Sequence, residues 1–421
     1  ARAGLARCAA GAGGGVGMIP RRVLDIGWRH LAQALWHTLR APQAPALPAG
    51  AAAYLSVRSG LDALLSALAL PAGSEVLMSA VTVPDMAAIV RAHGLQVVAL
   101  DVNADTLAVS ADEAERRVTS RTRVLLVAHL FGSRMPMDAL ADVADRHGLL
   151  LLEDCAQAFS GQGNTAHART DVAFYSFGPI KTATALGGAL LFFRDDALRR
   201  AALAVQAAWP VQPAPHYARR CVRHAALKLL SLRGPYTVFC ALCRLLRVDR
   251  NALIRGATRN FAPRELLPQL RQQPPAAMVA LMLRRWHEPA HAVVRRMAAA
   301  QALGDAMGDA LGGDGAALLL GRTAAGHTHW VVPVRCAAPE QLARQLQARG
   351  FDASRSASSL TLIGDAREAR AWHDALLYLP VHEDCTPRDM RRLAAALRSA
   401  IEPARQGAAQ PLTTRGATPA D

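Results

Sequence analysis

Between residues 50 and 195, short continuous apolar runs alternate with longer stretches in which apolar positions recur every three or four residues. The runs Glu75–Ser79, Gln96–Leu100, Val124–Leu130, Leu149–Glu153, Val172–Phe177 and Ala189–Phe193 are bounded by turn residues. Runs of this kind suit strands buried on both faces. The segments between them, such as Pro136–His147, carry helical spacing instead. The alternation predicts a mainly parallel α/β sheet, in which ligands gather at the carboxyl ends of the strands. Asp154, just past the LLLL run, and Ser176 to Lys181, just past VAFYSF, fall on that edge.

The rest of the chain reads differently. Residues 196–300 are helical, arginine-rich and without clear strands, whereas 316–402 return to mixed structure. There, WVVPVRC and ALLYLPV read as strands, and Pro339–Arg349 and Pro387–Ile401 as helices. Thr386 and Pro387 supply an N-cap and a first helical position. The expected organisation is a leader and N-terminal helix (1–40), a large domain (41–200), a basic helical insert or linker (201–300), a small α+β domain (301–402) and a disordered tail (403–421). Met18 is the first methionine, so residues 1–17 are expected to be upstream translation or a flexible leader.

Composition narrows the classes. With 421 residues, 52% hydrophobic and 19% charged, the chain can bury a large core, which excludes wholesale disorder. The nearest approach to a membrane span, Ala41 to Val57, is broken by three prolines. Seven scattered cysteines do not make a disulfide scaffold, and their odd number fits a reducing cytoplasm. Cys240 and Cys243 lack a second pair or spaced histidines, so they read as packed helix residues and no metal is expected.

The net charge of +15 is unevenly spread: residues 201–260 hold ten Lys or Arg against one acid, Asp249. The favoured reading is a subunit interface or lid with exposed arginines. A second is an amphipathic segment, YTVFCALCRLLR (236–247), resting on an anionic membrane surface. A third is a set of guanidinium groups holding a nucleotide diphosphate. Nucleic acid is not an expected partner, because aromatics are few and no recognised module is visible.

Only two of the 48 cations are lysines, Lys181 and Lys228. Lys181 lies in DVAFYSFGPIKTATALGGALLFF (171–193), which follows LLLLEDCAQAFSG (149–161). A carboxylate at one strand end and a lysine after another are what a pyridoxal phosphate site needs. The amine forms a Schiff base with the aldehyde, and the carboxylate keeps the ring nitrogen protonated. Ser176, backbone N–H groups and a helix amino terminus could hold the phosphate; VRSGLDALLSALAL (57–70) offers such a start at Ser59-Gly60. Asp154 and Gln157 also fit a helix N-cap and capping box. Lys228, in the basic helical region, reads as a surface residue.

These segments resemble the DegT/DnrJ/EryC1/StrS aminotransferases. EDCAQAFSG is similar to the family's ED-x-AQA-x-G, SFGPIKTATALGGALL to its SF-x-x-x-K with a glycine pair, VAHLFG (127–132) to its VH-x-x-G, and ALLYLPVHEDCTPRDMRRLAAAL (375–397) to its LPLH segment. The resemblance implies a fold-type-I pyridoxal phosphate transferase, with a seven-stranded-type sheet in the large domain and a smaller α+β C-terminal domain. It implies a cytoplasmic homodimer that moves an amino group from an amino acid, glutamate foremost, to a nucleotide-linked keto sugar in polysaccharide or secondary-metabolite biosynthesis. Carried over, Lys181 holds the cofactor, Asp154 pairs with the pyridine nitrogen, and Gln157 lies by the phenolic oxygen. Ser176, Ser59, Gly60 and Leu61 bind the phosphate, His129 faces the cofactor, and Asn260 matches a residue that the partner subunit contributes.

Three positions depart from the family pattern. Leu61 replaces a threonine, Val83 a ring-stacking aromatic, and Leu186 a frequent glutamate. They leave open a second enzyme of the same fold acting on a non-sugar or lipid-linked substrate, or a non-catalytic member serving as a membrane-surface or binding protein.

Overall fold

The computed structural model describes residues 17–408, apart from 41–44, 162, 164, 259–265, 289, 312–317 and 356–357. Seven strands form the main sheet: β1 (Ala51–Tyr54), β2 (Glu75–Ser79), β3 (Gln96–Leu100), β4 (Thr122–Ala128), β5 (Leu150–Asp154), β6 (Val172–Ser176) and β7 (Ala189–Phe193), in the order β1-β7-β6-β5-β4-β2-β3. The neighbours from β6 to β3 pair in parallel, while β7 runs antiparallel to both β6 and β1. Thus β1, a run of alanines with low strand propensity, is the strand that the apolar pattern did not reveal.

The continuous apolar runs are explained by burial on both faces. Leu125, Val127 and Leu151 pack on one side with α4 (Ala111–Arg117) and α5 (Asp138–His147). Val124, Leu126 and Leu152 pack on the other with α2 (Val57–Leu68) and α3 (Pro84–Ala92). At the β1 end, Tyr175 and Phe192 meet Trp286 of the helix Ala276–His287.

The basic region is helical throughout its described part: α6 (Asp196–Ala207), α7 (Ala214–Leu230), α8 (Arg233–Leu245) and α9 (Arg250–Thr258). Helix α7 packs against α1 (Trp28–Arg40) and reaches the lysine-bearing loop, where Tyr217 Oη donates to the Ala185 carbonyl at 2.9 Å. The C-terminal unit joins β8 (Val332–Arg335) and β9 (Leu376–Leu379) antiparallel, covered by helices His291–Leu311, Pro339–Ala348 and Pro387–Ala408.

Residues 18–26 run as a strap across the molecule. Ile19 bridges Phe351. Arg21 pairs with the fully buried Asp352, which also accepts from Arg250 and from Tyr236 Oη. One carboxylate therefore ties the strap, the basic helices and the C-terminal unit together.

Candidate active site

The loop from Phe177 to Gly188 is fixed by its own hydrogen bonds. The Phe177 carbonyl accepts from the N–H groups of Ala185 and Gly187, and from Thr184 Oγ1. Ala183 and Leu186 are held at φ 53° and 64°, and Gly187 and Gly188 are also left-handed. A Cβ on Gly188 would lie 2.0 Å from Met282 Sδ, and one on Gly187 2.4 Å from Arg220 Nη1. The glycine pair is thus required for packing as well as for φ. Asp25 accepts from the Ala183 N–H at 2.6 Å, and Arg285 holds Asp25 in turn at 3.0 Å.

This loop presents Lys181, its N–H bonded back to the Gly178 carbonyl. The amine lies 4.2 Å from the centroid of the Trp330 ring. Burial lowers its pKa to about 7, the Asp154 carboxylate opposes that fall, and the charges of Arg22 and Arg58 reinforce it. Asp154 closes β5 and accepts from the Ala156 N–H at 2.9 Å. Burial raises its pKa, against that N–H and the charges of Lys181 and His129. The two strand-edge residues expected from the sequence therefore face each other electrostatically. Ser176 ends β6 and its Oγ accepts from the Gly178 N–H at 3.4 Å, near the base of the lysine.

Gln157 is buried, and its Oε1 accepts from the Phe131 N–H at 2.9 Å. His129 is engaged at both ring nitrogens: Nε2 meets Glu153 at 2.9 Å and Nδ1 accepts from the Met135 N–H at 3.2 Å. Its two ring nitrogens are therefore committed to the protein. Glu153 also accepts from Thr170 Oγ1 and from the His167 N–H. Burial would raise its pKa, but these bonds, led by His129, hold it at about 2. His129, Glu153 and Cys155 are close enough to share a metal ion. The saturated carboxylate and a thiol whose pKa is raised by burial make them a hydrogen-bonded core cluster instead.

The residues expected to form the phosphate cradle stand at the start of helix α2, which begins at Val57 with Ser56 as its N-cap. Ser59 is fully buried, its N–H and Oγ both bonded to Ser56 Oγ. The Gly60 N–H donates to the Ser56 carbonyl, and a Cβ there would lie 2.6 Å from Leu191. Leu61 is a core residue. Ser59 and Gly60 therefore lie in the first turn of the helix, with Ser59, Gly60 and Leu61 all buried and the Ser59 and Gly60 N–H groups turned to Ser56. Asn260 lies outside the described residues. Lys228 is half-buried, its Nζ 3.5 Å from the Leu24 carbonyl.

Sequence reasoning missed the residues that wall the lysine. Arg22, Asp25, Arg296, Trp330, His382 and Glu383 line the same cleft as Lys181. The Arg22 guanidinium lies 4.5 Å from the Trp330 ring centroid and donates to the Ile180 carbonyl at 2.9 Å. Trp330 Nε1 donates to that same carbonyl, also at 2.9 Å. Burial lowers Arg22 to about 10, with Arg296 adding to the fall, so it remains cationic at neutral pH. Arg296 donates to Thr182 Oγ1 at 3.2 Å and to the Thr328 carbonyl at 3.0 Å. Glu383 is raised by burial to about 7, with Arg296 opposing. In a chain with 46 arginines, nothing in the pattern singles out these two. Trp330, at the head of WVVPVRC, and His382 and Glu383, in LPVHED, stood in segments marked out by the sequence.

The donor set fits pyridoxal phosphate: a buried amine of lowered pKa, a carboxylate coupled to it electrostatically, and positive charge from Arg22 and from Arg58, which pairs with Asp85.

Residues 48–211 match the model of the DegT/DnrJ/EryC1/StrS aminotransferase family. The chain is 37% identical over 145 residues to the putative L-glutamine:3-amino-2,3-dideoxy-scyllo-inosose aminotransferase of Micromonospora echinospora, covering 34% of each. It is 35% identical over 177 residues to the dTDP-3-amino-3,4,6-trideoxy-alpha-D-glucose transaminase of Streptomyces venezuelae, covering 39% of this chain and 44% of that one. These matches span less than half the length of either relative. Among solved structures, DesI in the presence of its TDP-sugar product has a TM-score of 0.65 at 19% identity, over 97% of this chain and 99% of that one. The ntda protein from Bacillus subtilis with bound cofactor PMP also gives 0.65, at 15% identity, over 93% and 86%. The fold is that of these aminotransferases.

Proposed function

We propose that the protein is a pyridoxal phosphate-dependent aminotransferase that transfers an amino group from an amino acid, glutamate foremost, to a keto group of a nucleotide-linked sugar. The observation that carries this reading is the placement of the buried Lys181 amine, 4.2 Å from the Trp330 ring and coupled electrostatically to Asp154 at the end of β5, inside the segment matched to the family. When bound, the cofactor supplies an aldehyde for Schiff-base chemistry and a ring that withdraws electrons from the substrate carbon.

The chain's own residues supply the rest. Lys181 Nζ is neutral in about half of the molecules at neutral pH, so it can act as nucleophile and then take up and return a proton. The Asp154 carboxylate, at the end of β5, would pair with a protonated ring nitrogen. Arg22, and Arg58 beside its partner Asp85, would supply positive charge for the phosphate, and Trp330 shields the amine from water. Arg296 suits a further anionic group of the substrate, and the sugar-nucleotide names of several relatives support that choice. The proposed assembly is a homodimer working in the cytoplasm, in polysaccharide or secondary-metabolite biosynthesis.

The test is the absorbance of the full chain after incubation with pyridoxal phosphate and gel filtration. The wild type should retain a yellow chromophore that glutamate bleaches with formation of one 2-oxo acid per site. Lys181→Ala should retain none. A wild type that emerges colourless would support the non-catalytic reading, and a chromophore indifferent to amino donors would support a different reaction.

A further inference from the structure

Helices α7 and α8 are buried on one side by Tyr217, Cys221 and His224, and by Tyr236, Cys240 and Cys243. An amphipathic helix on a water-facing surface carries polar residues on its other side. These do not. Val222 and Leu229 on α7, and Val238, Leu242 and Leu245 on α8, stand exposed, and Leu245 is 77% accessible. Helix α1, packed against α7, adds Trp28 and Trp36, each about half exposed, and Leu39 at 82%. A concentration of large apolar side chains on one set of neighbouring helices marks an interaction surface.

The charge on these helices decides what it meets. None of α1, α7 and α8 contains an Asp or Glu, whereas Arg29, Arg40, Arg219, Arg223, Arg244 and Arg247 lie on or directly beside them. Asp249, which follows α8, accepts from the Asn251 N–H at 2.8 Å and serves the next helix. A second copy docking isologously would set this face against itself, guanidinium against guanidinium, with no carboxylate on these helices to relieve the repulsion. Nucleic acid would use the arginines but would leave the leucines without an apolar partner. An anionic bilayer uses all three kinds of residue: leucines below the headgroups, tryptophans at their level, arginines on the phosphates. No described helix is long and apolar enough to cross a membrane, so the contact is with the surface.

We propose that the face formed by α1, α7 and α8 docks on an anionic lipid bilayer. The inference is independent of the chemistry at Lys181, and it gives the basic helices a role that the cleft does not require.

The experiment is co-sedimentation of the full chain with phosphatidylcholine vesicles, with and without one third phosphatidylglycerol. Salt is varied from about 50 to about 500 mM, where screening lengths fall from roughly 14 to 4 Å. Binding is expected only to the anionic vesicles, and it should weaken at high salt. R244Q/R247Q should lower the partition constant about 25-fold, at roughly fivefold per surface charge. L242E/L245E should abolish binding. Both pairs are exposed, so circular dichroism and thermal melting should match the wild type. Equal binding to neutral vesicles, no binding at low salt, or variants that pellet like the wild type would overturn the proposal. So would sedimentation velocity showing that L242E/L245E splits a wild-type oligomer into monomers, which would make the face a subunit contact.

Discussion

The Lys181 amine sits 4.2 Å from the centre of the Trp330 ring, which joins a residue of the large sheet's edge to one at the threshold of the C-terminal unit. The indole acts in two opposed ways. Its face attracts an ammonium, worth about 0.5–2 kcal/mol. Its bulk keeps water away, and burial is the largest cause of the fall to about 7. Burial wins, and the net shift is downward. Trp330→Ala should therefore raise the pKa by about one unit or more. Reductive methylation against pH, read by peptide mass, gives the midpoint, with Lys228 as the reagent control. An unchanged or lower midpoint would show that the ring's attraction matters more than its shielding.

Glu153 should make folding acid-sensitive in a defined window. Its pKa is about 2 in the fold against an ordinary 4.5. A depressed carboxylate contributes its stability above the unfolded value and loses it as pH falls through the folded one, here between 4.5 and 2. The linkage is worth up to about 3 kcal/mol at neutral pH. Urea midpoints of Glu153→Gln and wild type should differ at pH 7 and converge as the pH drops through that window. A constant difference down to the acid limit would count against this pairing.

Asp352 is a buried carboxylate shared by Arg21, Arg250 and Tyr236. Asp352→Ala leaves two guanidinium groups facing each other with no counter-charge, which should cost about 3–5 kcal/mol. Chemical denaturation measures this directly. Asp352→Asn should lose less, because it still accepts hydrogen bonds. Equal losses would assign the whole effect to the missing charge, whereas an Asn variant as stable as the wild type would show that the charge contributes nothing.

Gly60→Ala weighs two effects. Alanine gains about 1 kcal/mol of helix propensity over glycine. The added methyl meets Leu191 at 2.6 Å, and overpacking costs about 1–3 kcal/mol. The variant should melt lower than the wild type, and adding Leu191→Ala should make Gly60→Ala favourable. Destabilisation that persists in the double variant would point away from this contact.

What the sequence revealed was local. Glu75–Ser79 and Ala189–Phe193 are strands with the expected bounds, since runs buried on both faces leave no ambiguity of period. Asp154 and Lys181 were legible because each follows such a run. Helix α2 was misplaced by one turn because Ser56 and Ser59 are both capable caps, and only the packing of Gly60 on Leu191 separates them. Arg22, Arg296, Trp330 and Glu383 were not legible. They reach Lys181 from the two far ends of the chain, and no periodicity encodes such a meeting.

That convergence fixes an order of events during synthesis. The walls around Lys181 come from residues 22–25 at one end and 296–383 at the other, and the strap that carries the first set is latched to Phe351 and Asp352. A nascent chain that has emerged only through the sheet and α6 has the lysine loop but neither wall. In that state the amine is hydrated and has the basicity of any lysine. Its tuned acidity is acquired only once the strap and the C-terminal unit have closed on the lysine loop, so the site matures later than the sheet that bears it.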